Sequence, residues 1–213
     1  MPVLYLASKS PRRREILAGM GISDIEVIHA GPSVLTAFEG DETQHDGESP
    51  QDYVVRTACE KARQAMDRIA AEGKPALPVL AADTVVICGN EILGKPEDAA
   101  KARLFMQKLS GRTHEVRTAV VVSDGISKQL HVAVSVSQVT FSRLSSKQIE
   151  AYIRTDEPYD KAGGYAVQGL AGLFIERIEG SYSGIMGLPV FETAQLLAKV
   201  APQLLPDCAL TGR

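Results

Sequence analysis

Residues Pro78-Val79-Leu80-Ala81-Ala82-Asp83-Thr84-Val85-Val86-Ile87-Cys88 form a run of small and β-branched side chains interrupted by one carboxylate. An apolar run of this length, bounded by Pro78 and by Gly89-Asn90, reads as a strand buried on both faces. An ionised carboxylate left unpaired in such surroundings costs several kcal/mol. Asp83 is therefore expected to meet water, a cation or a hydrogen-bond donor at an opening in the core. The alternative ends the strand near Ala82 and makes Asp83 the cap of a turn.

On the C-terminal side, Gly89-Asn90 has the composition of a two-residue hairpin turn, with residues 91–93 returning and Gly94-Lys95-Pro96 as a loop. That return directs Lys95 back toward the Asp83 end of the pair. On the N-terminal side, Ser49-Pro50-Gln51-Asp52 opens a helix with a cap, a proline in the first turn and an acid beside it. Tyr53, Val54, Ala58, Ala62, Ala65, Met66 and Ile69 recur at three- and four-residue steps, so one apolar face runs to about residue 71. Lys61 lies next to that face. Such a lysine either snorkels to water or points into a cleft.

Further upstream, residues 3–7 read as a short buried strand, and Ser8-Lys9-Ser10-Pro11 turns it into a helix with Ser10 as N-cap and Pro11 first. The first turn carries Arg12, Arg13 and Arg14, the wrong sign of charge for the positive end of a helix dipole. Backbone N–H groups, serine hydroxyls and guanidiniums at one helix N-terminus make a phosphate clamp. A solvated basic turn paired with acids such as Glu15 is the other reading. Residues 31–48 are acidic, polar and without apolar periodicity, an irregular connection that is either merely solvated or carries a site acid such as Glu42.

Downstream, residues 98–109 read as an amphipathic helix and residues 115–123 and 129–141 as strands joined around Asp124-Gly125. Ser145 to Gln148 forms a capping box opening another helix. The polar stretch 156–169 concentrates acids, Lys161 and Gln168. Residues 173–178 read as a strand, 180–187 as a loop, Pro189 as the start of a last helix to about residue 200, and 202–213 as a frayed tail. No repeat or linker separates domains, so residues 1–201 are expected to be one domain.

The 213 residues are 45% apolar, enough for a sizeable core. With 23 basic against 26 acidic residues the net charge is −3, and Trp is absent, which argues against a stable nucleic-acid partner. Cys59, Cys88 and Cys208 are odd in number and far apart, signalling neither a disulfide framework nor a thiolate metal site and suiting a reducing cytosol. His29, His45, His114 and His131 show no ligand spacing and are read as surface or core histidines. No apolar run approaches the ~18 residues of a membrane span, and the N-terminus lacks the features of a signal peptide, so a cytoplasmic protein without a membrane partner is expected. Neither a P-loop nor a dinucleotide-binding glycine motif is present. Phosphate must be held by side chains and the first helix.

Ser8-Lys9-Ser10-Pro11-Arg12-Arg13, Ala82-Asp83-Thr84-Val85, Gly94-Lys95-Pro96, Leu109-Ser110-Gly111-Arg112-Thr113-His114, Glu157-Pro158-Tyr159-Asp160-Lys161-Ala162-Gly163 and Gly187-Leu188-Pro189 occur in this order. The set resembles the Maf-like proteins over residues 3–198. The resemblance implies an α/β fold with a mixed twisted sheet flanked by helices and two lobes around a deep cleft, of the Maf/ITPase-like type. It implies a cytoplasmic house-cleaning pyrophosphatase that converts nucleoside triphosphates to monophosphate and pyrophosphate, with a divalent cation, Mg²⁺ or Mn²⁺, as cofactor and a homodimer as assembly. By the same resemblance Asp83 is the general base on the attacking water. Glu42 matches the family's cleft glutamate, Lys61 is catalytic, and Glu42 and Asp83 hold the metal. Ser8, Ser10, Arg12, Arg13, Lys95 and Lys161 match the phosphate-facing groups. Arg12, Thr84 and Gln168 resemble the subgroup acting on dTTP and UTP, with modified pyrimidine nucleotides as further candidates. An amide such as Gln168 matches a pyrimidine edge as both donor and acceptor. The competing reading is a non-catalytic nucleotide- or nucleic-acid-binding regulator linked to cell division.

Overall fold

The structure, a computed structural model, describes residues 1–28 and 44–210. Glu42 and His29, with most of the acidic connection expected over 31–48, lie outside the described residues. The strands are β1 (Leu4–Ala7), β2 (Ile25–Val27), β3 (Val79–Cys88), β4 (Glu91–Leu93), β5 (Thr113–Ser123), β6 (His131–Phe141) and β7 (Ile175–Glu179). The helices are α1 (Pro11–Gly19), α2 (Pro50–Ala71), α3 (Ala99–Leu109), α4 (Ser146–Ile153), α5 (Tyr182–Met186), α6 (Val190–Val200) and α7 (Asp207–Leu210), with 3₁₀ turns at Glu157–Asp160, Ala162–Gly164, Leu170–Phe174 and Pro202–Leu204.

The strands form one mixed sheet in the order β2-β1-β3-β5-β6-β7, with β4 added to β3. β1 runs parallel to both β2 and β3, whereas β3 with β4 and β6 with β7 are antiparallel. This is a mixed α/β fold. β3 continues through Asp83 without a break, so the turn-cap alternative fails; the small and β-branched residues on either side keep the backbone extended.

The chain divides into two compact units, one comprising Met1–Asp83, Ala119–Val134 and the chain from Gly187 onward, the other Thr84–Thr118 and Ser135–Met186. In the first, Leu4 and Leu6 of β1, Leu80 and Ala82 of β3 and Val120 and Val122 of β5 pack with Leu17 of α1 and Leu196 and Leu197 of α6. Because strand side chains alternate, this leaves Tyr5 and Ala7 of β1 and Ala81 and Asp83 of β3 on the opposite face. The second unit has its own core, built from Val86, Leu93, Phe105, Met106 and Leu109 of the hairpin and α3, with Val139, Phe141, Ile149, Tyr152 and Tyr165.

Local signals explain most element boundaries. Ser49 caps α2, its Oγ accepting from Asp52 N at 3.1 Å, and Ser145 with Gln148 makes the reciprocal capping box of α4. Four details differ from the sequence reading. Ser10 occupies the N-cap position of α1, but its side chain makes no cap bond, because the serine hydroxyl working at this turn is Ser8 Oγ, which accepts from Ser10 N at 3.2 Å. β2 was not anticipated; three residues are too few to show alternation, and the strand exists through its pairing with β1. β7 begins at Ile175 rather than 173, since a 3₁₀ turn runs through Phe174 and leaves Leu173 exposed. Within the loop expected over 180–187, Ser181 Oγ accepts from Gly184 N at 3.0 Å and starts the short helix α5. Beyond α6, Leu205 is buried in the first core. Among the described residues no helix is long and apolar enough to cross a membrane.

Candidate active site

In the first unit, β1 and β3 run side by side with Ala7 opposite Ala81. Beyond that pair β1 leaves the sheet at Ser8 and β3 carries Asp83. The carboxyl ends of adjacent parallel strands are where α/β sheets hold their ligands. Asp83 is only 8% exposed. Its Oδ1 accepts from Lys61 Nζ at 2.7 Å and its Oδ2 from Thr57 Oγ1 at 2.8 Å.

Both partners come from α2 and stand four residues apart, one above the other on a single helical face. The small residues Ala58, Ala62 and Ala65 on the buried side of α2 are fully covered, which leaves that stretch of the helix without bulk at these three positions. The Thr57 hydroxyl also lies 2.9 Å from Tyr53 O and 3.2 Å from Val54 O. It has one proton for three acceptors, and the carboxylate is the strongest of them. Each Asp83 oxygen, having one donor, retains lone-pair room for the proton of a water or for a cation.

Around the α1 N-terminus, Ser8 Oγ also accepts from Arg13 Nη1 at 2.9 Å, and Arg13 Nε donates to Gly187 O at 2.7 Å. Arg13 thus ties the first loop to the Gly187-Leu188-Pro189 motif. Arg12 is half-buried on the same turn.

The second unit carries the remaining candidates. Thr118 is buried and donates its hydroxyl proton to Gly184 O at 2.7 Å, so the 2.8 Å contact between Thr84 Oγ1 and Thr118 Oγ1 must use the proton of Thr84. Toward any further partner Thr84 Oγ1 is then an acceptor. Lys95 is exposed two residues beyond Leu93, which pairs with Val86. Gly163 N donates to Gly94 O at 3.0 Å, which joins the Gly94-Lys95-Pro96 loop to the motif containing Lys161. Gly163 has φ +70°, and a Cβ there would meet Val86 Cγ1 at 2.8 Å, so only glycine allows this junction. Lys161 Nζ donates to Glu157 O at 3.0 Å and to the Asp160 carboxylate. Gln168 is exposed in a turn closed by Gly169 N to Ala166 O at 3.0 Å.

His114 is a core histidine rather than a site residue. Its Nε2 is 2.7 Å from the Tyr165 hydroxyl, its ring meets Phe141 and Tyr165 edge-on, and burial pushes its pKa down to about 4. Sequence reasoning passed over Thr57 and Thr118. The signal for Thr57 was available, a hydroxyl four residues before the lysine that borders the apolar face. Thr118 lies inside an alternating strand and gave none.

A carboxylate within β3, just past the carboxyl end of its parallel neighbour β1, held by a lysine and a threonine of one helix in a unit that also carries a serine- and arginine-bearing helix start, defines an α/β protein equipped to act on an anionic ligand. The match to the family model described as Maf-like protein runs over residues 3–200, and the chain belongs to that family. Curated relatives carry the name dTTP/UTP pyrophosphatase. One from Bordetella avium is 49% identical over 93% of this chain and 95% of its own length. One from Ralstonia nicotianae is 49% identical over 94% and 95%, and one from Burkholderia pseudomallei 47% identical over 92% of each. Among solved structures, the Staphylococcus aureus Ham1 protein matches with a TM-score of 0.42 and 14% identity over 80% of this chain and 90% of that one.

Proposed function

We propose that this chain is a nucleoside triphosphate pyrophosphatase acting on dTTP and UTP, with modified pyrimidine nucleotides as further substrates. The observation that carries the reading is the Asp83 carboxylate, held by Lys61 and Thr57 where an acid has no structural reason to be. Water attacks the α-phosphorus, its proton passes to Asp83, and the bond from that phosphorus to the α–β bridging oxygen breaks, releasing monophosphate and pyrophosphate. Lys61 orients Asp83 and adds positive charge beside the reacting centre. Ser8, Ser10, Arg12, Arg13, Lys95 and Lys161 are proposed as phosphate-facing groups, and Arg12, Thr84 and Gln168 as the residues that select the base. Glu42 is proposed as a second acid of the site.

A divalent cation, Mg²⁺ or Mn²⁺, fits the donor chemistry. Among the described residues no cluster of three or more His, Cys, Asp or Glu forms a protein cage, and Mg²⁺ characteristically takes one or two carboxylates with phosphate and water oxygens. Asp83, with Glu42, would supply the protein oxygens. A cation held there would supply positive charge for the phosphate oxygens and the leaving pyrophosphate. Three free cysteines, Cys59, Cys88 and Cys208, suit a reducing cytoplasm. The family resemblance implies a homodimer, which sedimentation would read directly.

The deciding experiment is product analysis with dTTP, UTP, CTP, ATP and GTP in Mg²⁺ and Mn²⁺, running wild type beside Asp83→Asn. Monophosphate and pyrophosphate from dTTP and UTP are expected, falling by about 10²- to 10⁴-fold in the variant. Nucleotide binding without turnover by the folded wild type would instead support a binding regulator.

A further inference from the structure

Glu157 opens the first 3₁₀ turn of the second unit, and its half-buried carboxylate collects three donors. Oε1 accepts from Tyr152 O–H at 2.9 Å and from Ala171 N–H at 3.1 Å, and Oε2 from Leu170 N–H at 2.7 Å. Leu170 and Ala171 begin the turn that follows Gln168-Gly169 directly. The approach is close enough that a Cβ on residue 169 would lie 2.3 Å from Glu157 Oε2, so the carboxylate and a side chain at 169 exclude each other. The backbone carbonyl of the same residue accepts from Lys161 Nζ.

One residue therefore holds the turn bearing Gln168 with its carboxylate and the Lys161 ammonium with its carbonyl. We propose that Glu157 is a positioning residue for substrate selection, fixing where the Gln168 amide stands relative to the Lys161 charge. The proposal rests on the reading of Gln168 and Lys161 as substrate-facing groups. An exposed glutamine on a loop discriminates between bases only if its backbone is anchored, since ordering it at the moment of binding would consume the interaction energy. Charge-assisted bonds to two successive N–H groups supply that anchor.

The test uses dTTP and GTP as substrates for wild type, Glu157→Gln, Gln168→Ala and the double variant, with thermal unfolding as the check on folding. Glu157→Gln turns one acceptor into a donor that faces Leu170 N–H, or Tyr152 O–H and Ala171 N–H, so one of the two N–H anchors and the charge that strengthens the other are lost with little change of volume. The expected result is a KM for dTTP raised about tenfold with kcat within about twofold. The dTTP-over-GTP preference should fall, and the double variant should be no less selective than Gln168→Ala alone. Unchanged selectivity and KM in Glu157→Gln, or an equal fall in kcat for both nucleotides at constant KM, would overturn the proposal. If Glu157→Gln does not fold, Gly169→Ala displaces the carboxylate from the other side and must reproduce the loss of selectivity. Wild-type selectivity in Gln168→Ala would overturn the reading of Gln168, and the proposal with it. Altered selectivity there beside an unaltered Glu157→Gln would overturn the role of Glu157 alone.

Discussion

At the scale of single residues, the chemistry concentrates on groups that hold other groups. Thr57 donates to Asp83 from a fully buried position. Thr57→Val keeps the shape and removes the donor, leaving one carboxylate oxygen short of a partner. A loss of about 2 kcal/mol in urea unfolding is expected, together with a fall in kcat of roughly tenfold. His114 makes a separate prediction. Burial lowers its folded pKa to about 4, whereas an unfolded histidine titrates near 6.5. Between those values the unfolded chain takes up a proton that the folded one refuses, so stability falls as pH falls through this window. The loss is about 3 kcal/mol, complete near pH 4. Urea midpoints measured from pH 7.5 down to 4.5 should show it, and His114→Gln should flatten the curve. The position of Asp83 as an awkward acid was legible in the sequence, because one carboxylate stood in an apolar run. The donors that resolve it were only half legible: Thr57 and Lys61 stand one helical turn apart on one face, but nothing local said that this face would meet Asp83.

At the scale of elements, α2 supplies both side chains that hold Asp83 in the candidate site. Its cap, its first-turn proline and its three- and four-residue apolar spacing determine its length, and its small buried residues leave room for close packing. Ala62→Leu inserts bulk at a position with no exposure. It is expected to cost about 1–3 kcal/mol in unfolding free energy. It should also depress kcat, because Thr57 and Lys61 move with the helix. Ala70→Leu, on the exposed side of the same helix, should change neither, and the pair measured by denaturation and turnover checks the argument. Elements with several turns or several alternations were readable for this reason: α2, β3 and the β3–β4 hairpin carry their periodicity and punctuation within themselves. β2 and α5 were not, since three- and five-residue elements are defined by pairing and by one side-chain bond rather than by pattern.

At the scale of the whole molecule, a chain of net charge −3 must bind a polyanion with locally gathered cations. Long-range attraction then contributes little, and the short-range part is screened by salt. Raising ionic strength from about 0.05 to about 0.3 M at constant free Mg²⁺ should raise KM for dTTP several-fold while leaving kcat within about twofold. A KM indifferent to salt would mean that the arginines and lysines assigned to phosphate are not in contact with it.

The sequence by itself determined the strand through Asp83, the helix that presents Lys61, the hairpin before Lys95 and the family to which the chain belongs. These depend on period, punctuation and residue order, which are properties of neighbours along the chain. Tertiary structure alone decided that Thr57 joins Lys61 on Asp83, that Arg13 reaches Gly187, that the Thr84 hydroxyl hydrogen-bonds with that of Thr118, and that Glu157 anchors the turn after Gln168. Those contacts pair atoms from 13 to 174 positions apart in the chain. A hydrogen bond is set by distance and direction in space, and no local pattern records either until the chain has folded.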